Sequence, residues 1–100
     1  MRKFVVAAAP LTPTESKAVT DLFRERYKWW HWIDGLWLVK DESDSLTVAA
    51  IRDLIMAAAP KARTMVLDVT GSGNTWSGFG PSSPTKNMFK WIRETWRDHQ

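Results

Sequence analysis

The chain has no cysteine in its 100 residues, which excludes a disulfide framework, a thiolate metal site and a cysteine nucleophile. Histidine is nearly absent too, with only His31 and His99, too few for an imidazole metal cluster. No apolar run approaches the roughly 20 residues that cross a bilayer, so no membrane partner is expected. The opening Met1-Arg2-Lys3 with Phe4 to Ala9 would make a barely sufficient leader. Pro10 and the polar stretch Thr12 to Glu15 follow at once, and the segment reads as a strand instead. Neither sign of charge dominates: 14 Lys and Arg stand against 11 Asp and Glu, a net charge of +3 with a pI near 9.5. That balance gives mild support to a polyanionic partner. With the missing cysteines it is compatible with a cytoplasmic protein. An apolar fraction of 44% and a charged fraction of 25% fit a single globular domain over residues 1–100.

What the chain has in excess is tryptophan, seven residues in all. An indole joins a large apolar area to one N–H donor, which suits a core and a binding surface equally. Lys3 to Ala8 reads as a strand. Thr12-Pro13-Thr14-Glu15 then starts a helix, with Thr12 as N-cap, Pro13 in the first turn and Glu15 closing a capping box; the apolar stripe ends near Tyr27. Lys28 to Ile33 and Leu36 to Lys40 flank Asp34-Gly35, a two-residue hairpin turn expected to need positive φ at both positions. Asp44 or Ser45 is expected to cap a second helix that buries Val48, Ile51, Leu54, Ile55 and Ala58 and stops at Pro60. Thr64 to Thr70 gives a fourth strand. A glycine- and serine-rich loop follows over 71–84, and a last helix, begun by Ser83-Pro84, over 84–98. This order predicts an α+β, ferredoxin-like βαββαβ sandwich with its core in 1–70 and an extra C-terminal amphipathic helix.

Both faces of the hairpin are apolar. If the turn sets an unbroken register, Trp30, Trp32, Trp37 and Val39 share one face, and Trp29, His31, Ile33, Leu36 and Leu38 share the other. Helices on one side of the sheet leave the second face as a patch larger than a monomer tolerates. The C-terminal helix, a second copy of the chain or a stacked ligand would each cover it.

Three other places could carry function. Lys86, Lys90, Arg93 and Arg97 fall within an arc of about 60° on the last helix, a positive ridge able to follow a phosphate backbone or an acidic protein. The loop bearing Gly71, Gly73, Trp76 and Gly78 follows a strand, where backbone N–H groups and an indole could hold a nucleotide. It lacks the Lys-Ser/Thr ending of a P-loop and the glycine spacing of the dinucleotide fingerprint. For catalysis the residues offer little: His31 sits among tryptophans, no paired carboxylates stand out, and no nucleophile, metal site or cofactor is indicated.

Trp29-Trp30-His31 through Asp34-Gly35-Leu36-Trp37-Leu38-Val39, Ile51-Arg52-Asp53, Leu67-Asp68-Val69-Thr70-Gly71 and Trp76-Ser77-Gly78-Phe79 carry a resemblance in order and spacing over most of residues 1–80. The chain resembles the SinR-like small proteins, relatives of the CRISPR-associated small endoribonuclease of the spacer-acquisition complex and of VapD-like toxins. The resemblance implies a ferredoxin-like fold, a homodimer and a link to nucleic acid or mobile-element defence. In the nuclease relatives the first strand runs into a metal-binding aspartate; here it reads Val5-Val6-Ala7-Ala8-Ala9-Pro10. Without that carboxylate the metal site loses its anchor. The expected function is therefore a non-catalytic, dimeric nucleic-acid-binding module. Two alternatives stay open. One is a phage or mobile-element inhibitor that binds a host defence protein or sequesters a nucleotide signal; the other is a residual metal-dependent nuclease.

Overall fold

The computed structural model describes residues 1–71, 77–78, 80, 83 and 85–96. Among them it is an α+β structure: a four-stranded antiparallel sheet with helices. In chain order the elements are β1 (Arg2–Ala9), α1 (Pro13–Arg24), β2 (Lys28–Ile33), β3 (Leu36–Asp41), α2 (Val48–Ala58) and β4 (Arg63–Asp68), followed by a π-helical segment, α3 (Ile92–Trp96). The strands lie in the order β2-β3-β1-β4.

Local chemistry starts and stops these elements. The capping box of α1 forms as expected: the Thr12 hydroxyl accepts from the Glu15 amide, and the Glu15 carboxylate accepts from the Thr12 amide. The helix ends at Arg24, short of the expected Tyr27. α2 is capped by Thr47, whose hydroxyl accepts from the Ala50 amide, not by Asp44 or Ser45. The preceding loop is instead organised by buried Asp41. Its carboxylate accepts from the Ser43 hydroxyl and from the backbone N–H groups of Ser43, Ser45 and Leu46. Burial pushes this carboxyl up, but those donors outweigh it and hold the group below the usual aspartate range.

The main core lies between the sheet and the two helices. Phe4, Val6 and Ala8 of β1 and Trp37 and Val39 of β3 meet Val19 and Phe23 of α1 and Ile51 and Ile55 of α2, with Leu46 beside them. Burying an aliphatic or aromatic side chain of this size stabilises by roughly 1.5–3 kcal/mol, so this cluster dominates the fold. The alternate residues of β1 and β3, Lys3, Val5, Ala7, Leu36, Leu38 and Lys40, point to the sheet's other face.

The hairpin register departs from the expectation. Ile33 pairs with Leu36 across the turn, but Trp30 pairs with Leu38 and Trp29 with Val39, because a bulge falls at residues 31–32. Gly35 has φ 75°, whereas Asp34 does not take a positive φ, so the turn is not the type expected for Asp-Gly. Turns outside that type splay the strands, and a bulge restores their twist at the cost of a one-residue slip. Gly35 is required on two grounds: its φ, and a Cβ there would lie 2.7 Å from the Ala8 carbonyl oxygen.

Candidate functional site

The slip at 31–32 redistributes the aromatic residues. Trp30, Trp32, Trp37 and Val39, expected on one face, are separated. Trp37 and Val39 are fully buried on the side of α1 and α2, Trp30 is buried on the opposite side, and Trp32 stays 42% exposed. His31 turns into the helix side and stacks on the Trp37 ring, with centroids 4.1 Å apart and planes 7° from parallel. Its Nδ1–H donates to the Leu36 carbonyl at 2.8 Å, which sets the tautomer because a carbonyl only accepts. The Trp37 indole N–H donates to the Thr20 hydroxyl, which donates in turn to the Ser16 carbonyl.

On the second face the C-terminal segment covers part of the sheet. Met88, Ile92 and Trp96, spaced four apart, are buried against Trp30, with Leu36, Leu38, Val69, Phe89 and Trp91 packed around them. The Trp30 indole N–H donates to the Met88 carbonyl at 2.6 Å. Two lysines fix the far end of the cover. Lys40 donates to the Thr95 carbonyl, and the ammonium of fully buried Lys3 lies 5.5 Å from the Trp96 ring centroid. A cation at the carbonyl end of a helical segment is favourably placed, and an indole face attracts it further. Composition gave no hint of these buried lysines; the apolar residues that alternate with them along β1 and β3 are the signal that was there to read.

The segment is shorter than expected. Asn87 Oδ1 accepts from the amides of Phe89 and Lys90, and helical structure begins at residue 90, so Asn87 and not Ser83-Pro84 opens it. Lys86 therefore precedes the helix. Lys86, Lys90 and Arg93 are all exposed, and the Arg93 guanidinium reaches Asn87 Oδ1 at 3.5 Å. Arg97 lies outside the described residues, as does the expected end of the helix at 98. In the glycine loop, Gly71 has φ 83°, and no atom of the described residues lies within 4 Å of where its Cβ would be. Gly78 lies flush against Phe89, where a Cβ would come within 2.6 Å of the ring. Gly78 is thus used by packing. Gly73 and Trp76 lie outside the described residues.

The end of β1 forms the ridge between two open clefts. One, about 690 Å³, is lined by Pro10, Thr12, Ser16, Lys17, Thr20 and Arg24; the other, about 830 Å³, by Lys61, Arg63, Thr64 and Met65. Asp34 is the acid shared by both. Among the described residues no group of three or more His, Cys, Asp or Glu side chains gathers as a metal ion would need, and no helix is long and apolar enough to cross a membrane. Comparison with protein-family models, with curated proteins and with solved structures finds no match.

Proposed function

We propose that the chain is a non-catalytic nucleic-acid-binding module that works as a homodimer on a ferredoxin-like frame. The strand order β2-β3-β1-β4 with helices between β1 and β2 and between β3 and β4 supports that frame. The observation that carries the reading is the two-sidedness of the C-terminal segment. Its apolar residues are committed to the sheet, while Lys90 and Arg93, with Lys86 just before them, face water, and among the described residues none of the three is held in an ion pair. A packed segment presenting fixed cations can hold a phosphate backbone without base contacts, which predicts binding with little sequence preference. A nucleic-acid partner and the absence of cysteine together favour a cytoplasmic place. The likeness to SinR-like proteins points the same way.

Fluorescence anisotropy with labelled RNA and duplex DNA tests this. Three phosphate contacts give a slope of about −2.7 for log affinity against log salt on duplex DNA. Replacing Lys90 and Arg93 by glutamate is expected to weaken binding at least about tenfold and to flatten that slope. Both side chains are exposed, so the circular dichroism spectrum is expected to stay unchanged. Unaltered affinity would remove the site.

A second reading, a protein-binding inhibitor, is favoured by one specific feature. α2 leaves three larger apolar side chains exposed around its surface, Val48, Leu54 and Met56, by 39, 40 and 55%. Substituting Leu54 and Met56 by glutamate would abolish capture of such a partner and leave nucleic-acid binding untouched.

A further inference from the structure

The two edges of the sheet are built differently. β2 carries the bulge at 31–32, a device that twists an edge away from pairing. β4 has no bulge and no proline; it runs Arg63-Thr64-Met65-Val66-Leu67-Asp68 in unbroken register with β1. The ladder between them decides which backbone groups remain. The Val69 amide donates to the Lys3 carbonyl, so Leu67 and Met65 also aim their N–H and C=O groups at β1, while Thr64, Val66 and Asp68 aim theirs outward. An edge left in this state is a template for another strand.

The side chains of the same strand extend the feature to the open face. Met65 is 63% exposed and Leu67 50%, beside half-buried Val5 and Ala7, on the part of that face away from Trp30, where Met88, Ile92 and Trp96 pack.

We propose that β4 pairs antiparallel with β4 of a second copy of this chain about a two-fold axis through Val66, joining the two sheets into one. This deepens the homodimer part of the reading above and rests on it. A two-fold contact needs a patch that complements itself, and β4 does so about Val66. Thr64 falls opposite Asp68 of the partner subunit, a hydroxyl facing a carboxylate. Met65 falls opposite Leu67 of the partner subunit, apolar on apolar, on the open face. The basic end at Arg63 approaches the acidic end of the other strand, whereas a parallel arrangement would bring like charges together. The outward-pointing residues Thr64, Val66 and Asp68 meet one another in this register, so each outward N–H finds a carbonyl.

Light scattering on size-exclusion fractions of the full chain, from micromolar to near-millimolar concentration, is the test. The wild type is expected at twice its 11.5 kDa mass. Met65→Lys with Leu67→Lys sets lysine opposite lysine on both sides of the axis and is expected to weaken the dimer at least about tenfold. Met65→Lys with Leu67→Glu sets lysine opposite glutamate and is expected to keep the dimer within about threefold of wild type. Both positions are exposed in the protomer, and circular dichroism checks that each variant is folded. A monomeric wild type, a Lys/Lys variant that dimerises normally, or loss of the dimer in both variants would each overturn the pairing. A dimer that survives the Lys/Lys change would leave the homodimer reading standing and sink only this interface. Anisotropy with the Lys90 and Arg93 variants reports on nucleic-acid binding independently.

Discussion

The two faces of the sheet are covered in different ways. On one, α1 and α2 pack over the strands, and Phe4, Val6, Trp37, Val39, Ile51 and Ile55 lose all contact with water. On the other, the C-terminal segment packs beside Trp30, Leu36 and Leu38, and Met65 and Leu67 of β4 stay open. The first face is the core of an ordinary domain. The second is part core and part available surface.

Substitutions that probe this contrast should fall in a definite order. Trp37→Ala removes a fully buried ring that also supports His31 and Thr20, and a loss of about 3–5 kcal/mol is expected in urea unfolding. Asp41→Asn keeps the shape but weakens bonds to three backbone amides and the Ser43 hydroxyl, at a cost of about 2 kcal/mol. The same group predicts a pH dependence. Because its folded pKa lies below the ordinary 3.8, its contribution is fully present above that value and is lost as pH falls through the folded pKa. Thermal melts of the wild type should therefore fall off below about pH 4, and the Asn variant should lose less over that range. Trp30→Phe keeps most of the ring and deletes the N–H to the Met88 carbonyl, for about 1–2 kcal/mol. Trp32→Ala is expected to stay within about 0.5 kcal/mol of wild type, since that ring is largely in solvent. Equal effects at Trp37 and Trp32 would erase the distinction between buried and exposed hairpin positions.

The sequence made the element order legible because each boundary has its own local chemistry: the Thr12–Glu15 box, Pro13, Gly35 and Pro60. It made the apolar spacing of Met88, Ile92 and Trp96 legible for the same reason, since helical periodicity is a local property. The grouping of the tryptophans was not legible. It depends on a bulge at 31–32, and that bulge allows His31 to reach the Trp37 ring and the Leu36 carbonyl, contacts with no counterpart in residue spacing. The role of Asp41 is visible in outline, as an aspartate followed by serines at 43 and 45, but the same run of residues equally fits a helix cap. The positive ridge presupposes α-helical spacing from residue 86 onward. The segment starts at Asn87 and winds as a π-helix, so Lys86 belongs to the approach and not to the ridge.

Indole N–H exchange, read by NMR on the intact chain, tests the uneven cover most directly. The ring N–H groups of Trp37 and Trp30 donate to the Thr20 hydroxyl and the Met88 carbonyl, and both are expected to exchange slowly, while that of Trp32 exchanges fast. A Trp30 indole exchanging as quickly as that of Trp32 would show that the C-terminal segment does not lie on the sheet, and the division between its packed and its cationic side would be lost with it.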